Sequence, residues 1–345
     1  MAFAIAIDAI NLVDDRRGMG RYVRRVIADW RENSELDLTL AIRDQASAHA
    51  LEREFSLPVA PLSGLRRQRF DATWYPWNGI RFRSPAPRSL TTIHDAFAFT
   101  YPNPGMVARW REQSPIRAAV AQSTALATVS KWAASEIERA LGIEAHRLAI
   151  VPPVPDPFWM PVDVPHDPRG DWPYVLVVGG PEERKNLGTL FAAFRTAFFG
   201  RHVRLVVVGN LRDEDEKLLD KTSIPHARLH PSDARLRELY SGAILVAVPS
   251  MAEGYGLMVV EAMACGAPVV AADAAALPES CDGAALLVPP LDVIAWRDAM
   301  VHVDRDRDAR EDLRTRSLGR AARIARGSTA RLTLELLRRS PEAAR

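Results

Sequence analysis

With 345 residues, 48% hydrophobic and 26% charged, and a formal net charge of +2, the chain has the composition of a soluble globular protein with room for two domains. So small a net charge gives no reason to expect nucleic acid as a partner, and the apolar content excludes disorder over most of the length. The two cysteines, Cys265 and Cys281, have no ligand-like spacing with histidine. The opening "MAFAIAIDAI" lacks a basic start, and no run approaches the roughly 18 apolar residues of a spanning helix. A cytoplasmic location is the expectation.

In chain order, the first half offers β-rich runs at 3–8 (FAIAID), 36–42 (LDLTLAI), 72–76 (ATWYP), 89–95 (SLTTIHD), 125–130 (ALATVS) and 148–153 (LAIVPP). Helical patterns separate several of them, the clearest being "GRYVRRVIADWRE" and "SKWAASEIERALG". Such alternation predicts parallel strands joined by crossover helices. Residues 151–173 hold eight prolines and can sustain neither a helix nor a central strand, so a domain boundary falls there. The alternation then restarts at 174–180, 204–210, 244–250, 268–273 and 285–290, in apolar runs that suit strands covered on both faces. The expected fold is α/β: two facing Rossmann-like doubly wound domains with a cleft between them. The expected divisions are 1–155, a proline-rich linker over 156–173, 174–320, and a helical tail over 321–345 that packs back on the first domain.

Within "PSMAEGYGLMVVEAMACGAPVVAAD", Glu253 and Glu261 stand eight positions apart among small and apolar residues. Open parallel sheets bind ligands beyond the carboxyl ends of their strands, which is where Glu253 falls after "ILVAVPS". Gly254 and Gly256 permit a sharp turn and close backbone approach, and the amides that open the next helix suit a phosphate. Glu261, further along that helix, can accept hydrogen bonds from paired hydroxyls such as those of a ribose.

This arrangement resembles glycosyltransferase family 4, the retaining sugar-nucleotide transferases of two-domain, B-type architecture. The resemblance rests on the two glutamates together with "GMGRYV", "TTIHDAFAFTYP", "ATVSKWAASEI", "VPPVPDPF", "VVGGPEERKNLGTLFAAF", "LYSGAILVAVPS" and "LPESCDGAALLVPPLD", in that order and over nearly the whole chain. It implies that Glu253 binds donor-sugar hydroxyls, that Tyr255, Gly256, Leu257 and Met258 offer backbone contacts to sugar and phosphate, and that Glu261 holds the ribose. Arg184 and Lys185, with Gly180 and Asn186 beside them, follow the strand "YVLVVGG", where cations can neutralise a departing diphosphate. The family often has a further arginine directly after that strand's glycine; here the residues are Gly179, Gly180 and Pro181.

Gly18 and Gly20 open a helix and can bring amides to the donor phosphates, or form a plain turn; Val23 stands where a dinucleotide fingerprint needs its third glycine. His94 ends a strand at the carboxyl rim, and the resemblance gives it contacts near the anomeric carbon; Asp95 either orients it or caps the next turn. Ser232 and Asp233 read as a helix start. The resemblance implies that His230 to Asp233 flank the nucleotide base.

The "DRDRD" run at 304–308 reads as a solvated helix face and not as a metal-holding D-x-D, so no metal and no cofactor is expected. Between Gly64 and Leu90, six arginines (Arg66, Arg67, Arg69, Arg81, Arg83, Arg88) interleave with Phe70, Trp74, Trp77 and Phe82. That stretch is either an arginine-rich surface or a means of peripheral attachment to the inner face of an anionic membrane.

The expected function is retaining, metal-independent transfer of a hexose from a GDP- or UDP-sugar to a glycan, lipid-linked or natural-product acceptor, as in polysaccharide biosynthesis. By resemblance the lead donor is GDP-mannose. The alternatives are a sugar-nucleotide epimerase of the same fold, a non-catalytic sugar-nucleotide-binding subunit, and a nicotinamide dehydrogenase, the last disfavoured by the broken glycine fingerprint.

Overall fold

The computed structural model describes residues 2–43, 45–164 and 172–339, and divides into two compact units: Met1–Val154 with Ser328–Arg345, and Pro155–Gly327. Of the proline-rich stretch, 165–171 lie outside the described residues, as do 340–345 of the tail.

The first unit is built on seven parallel strands, β1 (Phe3–Asp8), β2 (Leu36–Ile42), β3 (Val59–Pro61), β4 (Ala72–Tyr75), β5 (Arg88–Ile93), β6 (Ala125–Thr128) and β7 (Leu148–Ile150). Their order is β3-β2-β1-β4-β5-β6-β7, so the strand order reverses between β1 and β4. All but β3 coincide with an apolar run; β3 is three residues long, ends in a proline and pairs only at the sheet edge, which leaves no periodicity to detect. Helix Gly18–Arg31 turns Tyr22, Val23, Val26, Ile27 and Trp30 inward at helical spacing. Ser130 caps helix Lys131–Leu141 by accepting from the Ala133 amide, and Gly142, at φ 65°, ends it.

The C-terminal helix Thr329–Arg338 belongs to this first unit. It buries Ala330, Thr333, Leu334 and Leu337. The Trp30 indole donates to the Ala330 carbonyl at 2.9 Å, while Thr329 Oγ1 donates to the Pro152 carbonyl and accepts from the Val154 amide.

The second unit is built on six parallel strands, β8 (Tyr174–Val178), β9 (Arg204–Val208), β10 (His226–Leu229), β11 (Leu245–Val248), β12 (Val269–Ala272) and β13 (Leu286–Val288), in the order β10-β9-β8-β11-β12-β13. Every residue of β11 and β12 is buried, as helix-covered parallel strands require. The order reverses between β8 and β11, which pair in register Ala247 to Val177.

Two expectations are corrected. "DRDRD" is a joint between helices and not one helix face: Asp304 and Arg305 close helix Val293–Arg305, and Asp306 caps helix Arg307–Ala325 by accepting from the Ala309 amide. The arginine-rich stretch loses its aromatic half, because Phe70, Trp74 and Trp77 are core residues and Phe82 packs on the core that includes Phe70 and Leu65.

Candidate functional site

At the point where strand order reverses in the second unit, the loops leaving β8 and β11 meet through charge. Lys185 Nζ donates to Glu253 Oε1 at 2.7 Å, and Arg184 Nη1 lies 3.5 Å from Glu253 Oε2. The backbone fixes this meeting: the Met251 amide donates to the Arg184 carbonyl at 2.7 Å, and Arg184 Nη1 donates to the Ala252 carbonyl at 2.9 Å. Asn186 braces it with a left-handed backbone (φ 52°) and an amide group that donates to the Pro249 and Pro290 carbonyls. Gly180 lies under the same corner, where an added Cβ would come within 3.4 Å of Lys185 Cε and 2.3 Å of Glu182 Oε2.

Glu253 and Lys185 are 8% and 7% exposed, so both charges are taken largely out of water. Burial alone would raise the Glu253 carboxyl. The charges of Lys185 and Arg184, with hydrogen bonds from Lys185 and Ser250, outweigh burial and hold it below the ordinary carboxylate value. Unit charges 2.7 Å apart attract by about 6 kcal/mol at an effective dielectric of about 20. Desolvating the two ions costs several kcal/mol each, so the pair adds little net stability. An ionised acid beside two cations at a sheet rim is more useful for binding than for holding the fold.

From Glu253 the chain enters helix Leu257–Ala264 through Gly256, whose φ of 88° no ordinary residue adopts cheaply and whose added Cβ would meet Leu277 Cδ2 at 3.0 Å. The turn is held from behind by Ser280, whose hydroxyl donates to the Tyr255 carbonyl. Glu261 lies one helical turn beyond that cap and is 1% exposed. On the β9 and β10 side of the same rim, His230 Nε2 pairs with Asn210 Oδ1 at 2.8 Å, and Ser232 caps the helix that begins at Asp233 by accepting from the Arg235 amide.

In the first unit, His94 follows β5 and is 8% exposed. Its Nε2 donates to the Pro76 carbonyl at 2.8 Å, its amide donates to Asn78 Oδ1, and its ring stands edge-on to Tyr22 with centroids 4.9 Å apart. Burial pushes the imidazole down to about 4, so near neutrality it is uncharged, with Nδ1 its acceptor nitrogen. Asp95 accepts from the Phe97 amide at 3.0 Å, which makes it the cap of the next turn. Gly18 is open, with nothing within 4 Å of where a Cβ would stand, whereas a Cβ on Gly20 would lie 1.9 Å from the Asp15 carbonyl oxygen. Gly20 therefore serves the packing of loop 9–17, which Arg24 ties down by donating to the Asp15 and Leu12 carbonyls while pairing with Glu54.

Three contributors are not singled out by the sequence as site residues: Ser280, although it lies within "LPESCDGAALLVPPLD", Asn78 and Asp8. Asn78 is flagged only by the Asn-Gly turn it forms with Gly79. Asp8 ends β1 fully buried, its carboxyl raised by burial to about 6, with its carbonyl accepting from the Trp77 indole at 2.7 Å. The buried thiols are no nucleophiles, since burial raises both Cys265 and Cys281 to about 12.

Residues 172–306 match the family described as Glycosyl transferases group 1. The chain is 29% identical over 271 residues to the O-antigen chain mannosyltransferase B of Escherichia coli, covering 73% of this chain and 71% of that protein. It is 32% identical over 201 residues to the MMP alpha-(1->4)-mannosyltransferase of Mycolicibacterium hassiacum, covering 54% of this chain and 47% of that protein. Among solved structures, Thermosynechococcus elongatus sucrose-phosphate synthase superposes with a TM-score of 0.71 at 19% identity over 99% of this chain and 100% of that one. Anabaena HepE in complex with UDP and glucose superposes with 0.73 at 15% over 98% and 99%. These likenesses show the two-domain Rossmann-like, B-type fold.

Two outcomes follow from this geometry. Gly20→Ala should force loop 9–17 out of place and lower the melting temperature, while Gly18→Ala should be sterically neutral; equal melting temperatures for the two variants would refute the packing role. His94 is protonated more readily unfolded (near 6.5) than folded (about 4), so it withdraws stability as pH falls from 6.5 to 4, by at most about 3 kcal/mol. The gap in unfolding free energy between wild type and His94→Gln should narrow over that range, and a gap constant with pH would show that His94 is not buried neutral.

Proposed function

We propose that this chain, whose residues 172–306 match Glycosyl transferases group 1, is a retaining, metal-independent hexosyltransferase that uses a nucleoside diphosphate sugar. The observation that carries this is Glu253 held as a carboxylate between Lys185 and Arg184 where the strand order of the second sheet reverses. Lys185 has three N–H donors and gives one to Glu253, leaving donor capacity for a diphosphate oxygen. Two cations and the amides that open helix Leu257–Ala264 then carry the charge that develops as the glycosidic bond breaks.

In this scheme Glu253 accepts hydrogen bonds from sugar hydroxyls, Glu261 from the ribose, and the backbone from Gly254 to Met258 follows sugar and phosphate. Gly180 and Asn186 shape the corner beneath, and His230 with Asp233 flanks the base. Neutral His94 offers Nδ1 to a hydroxyl near the reacting carbon, and Gly18 offers its amide to phosphate. The anomeric carbon's bond to the diphosphate oxygen breaks, its bond to the acceptor oxygen forms on the same face, and the acceptor proton passes to the departing diphosphate. No separate general base is needed.

Mannose is the lead sugar, because the Escherichia coli and Mycolicibacterium hassiacum relatives are both mannosyltransferases by name. GDP-mannose is accordingly the first donor to try, with glycan or lipid-linked acceptors. No helix among the described residues is long and apolar enough to cross a membrane.

Glu253→Gln keeps a carbonyl for Lys185 but removes the charge. It should lower transfer by about 100-fold or more while nucleoside diphosphate affinity changes little. Glu261→Ala should instead weaken nucleotide binding by about tenfold, read by calorimetry. Equal losses of nucleotide affinity in both variants would show that the two acids have been given the wrong roles.

A further inference from the structure

β4 and β5 pair side by side, Tyr75 opposite Thr91, so the turn that continues β4 over 76–79 runs past His94, which follows β5. That turn grips His94 at two points. The ring nitrogen Nε2 meets the Pro76 carbonyl, and the backbone amide donates to Asn78 Oδ1, while the Asn78 amide nitrogen reaches Asp95 Oδ1 at 3.5 Å. A carbonyl can only accept, so Nε2 carries the proton and Nδ1 the lone pair. Nδ1 has no partner among the described residues. Tyr22 packs against the ring with centroids 4.9 Å apart and restricts its rotation.

The turn is itself tied down. Trp77, 2% exposed, donates its indole N–H to the Asp8 carbonyl at the end of β1, and Asp8 Oδ1 in turn accepts from the Ile10 amide at 3.1 Å. Arg81 Nη1 donates to the Trp77 carbonyl at 3.0 Å. Gly79 packs so tightly on helix Met106–Gln122 that a Cβ there would meet the Pro115 carbonyl carbon at 2.4 Å, and the Ile80 amide donates to the Pro115 oxygen at 3.0 Å.

The backbone of the turn is unusual. Asn78 and Gly79 have φ of 52° and 135°, so two successive residues adopt conformations that L side chains rarely take. Asn tolerates the first better than most residues, and Gly is needed for the second. Backbone strain that surrounding contacts maintain occurs where a functional geometry depends on it. Here the dependent group is His94: with Nδ1 protonated instead, the ring would set its Nε2 lone pair against the Pro76 carbonyl and lose its free acceptor.

We propose that turn 76–79 is a positioning device for His94, in which Asn78 and Trp77 hold the imidazole as the Nε2–H tautomer with Nδ1 kept for a substrate hydroxyl. In this role neither residue need touch substrate, since both act through His94. This role for the turn rests on the transferase reading of His94, whereas the tautomer can be read without substrate, so the two fail separately.

The test is nitrogen NMR of the full chain, isotopically labelled at histidine, near neutral pH, with the His94 signals assigned by their absence from His94→Gln. Wild type should show one protonated and one bare ring nitrogen, Nε2 and Nδ1 respectively. Asn78→Gly takes the positive φ without strain and removes only the side chain, and Trp77→Phe keeps an apolar ring but not the indole donor. In both variants the two nitrogen signals should draw together as the ring exchanges between tautomers. Release of GDP from GDP-mannose should fall about tenfold or more in kcat, with KM and GDP affinity little changed. A wild-type ring that is already a mixture of tautomers, or variants whose His94 signals match wild type, overturns the proposal. So does an equal loss of kcat and GDP affinity with the tautomer intact, which would make the turn merely structural. The expected tautomer change in a chain that turns over no nucleotide sugar would leave the hold on His94 standing and count only against the transferase reading.

Discussion

The buried contact between Lys185 and Glu253 ties together the loops that leave β8 and β11. Each ion is expensive to bury and would be costlier alone, since removing one partner of a buried pair costs about 3–5 kcal/mol. The loops after β8 and β11 must therefore stay in register with each other, and the surrounding residues are arranged to ensure it. Asn186 adopts a left-handed backbone and its side-chain amide reaches two carbonyls, the Arg184 carbonyl accepts from the Met251 amide while its guanidinium donates to the Ala252 carbonyl, and Ser280 fixes the Tyr255 carbonyl behind the turn. A pair with little net stabilising value but this much support is a preformed polar site.

The two units use the same topological device for different chemistry. In the second, the candidate residues follow the two strands that flank the reversal of strand order, β8 and β11; in the first, Asn78 follows β4, which flanks it, and His94 follows β5, one strand further out. The second unit gathers charge there. Around the His94 ring and amide the first has neutral groups: an imidazole driven uncharged by burial, the Asn78 amide and the Pro76 carbonyl. Charge suits a diphosphate, and neutral donors and acceptors suit hydroxyls that must be oriented without being ionised.

Much of this was legible in the sequence because both sheets are parallel and helix-covered, so their strands appear as uninterrupted apolar runs. Glu253, Arg184 with Lys185, and His94 stand out because each comes after such a run, whereas Glu261 stands out as an acid within an otherwise apolar helix. What escaped was set by contacts distant in sequence. Trp74 and Trp77 look like surface aromatics among arginines until β4 is seen between β1 and β5, where their rings are core. Gly20 looks like a phosphate-loop glycine, but its missing side chain is filled by the Asp15 carbonyl. The "DRDRD" alternation suggests one solvated helix, while Asp306 turns it into a cap between two. Ser280 lies within "LPESCDGAALLVPPLD" and Asp8 ends "FAIAID", yet only the fold shows the Ser280 hydroxyl on the Tyr255 carbonyl and Asp8 against the Trp77 indole.

The most direct test of the central claim is calorimetric titration of the full chain with UDP, GDP, ADP and NAD, each with and without magnesium, repeated with Lys185→Ala. The account predicts saturable binding of one nucleoside diphosphate without magnesium, and a loss of about tenfold or more in that affinity when Lys185 is removed. Binding of NAD alone, or an affinity for the diphosphate that is indifferent to Lys185, would contradict it.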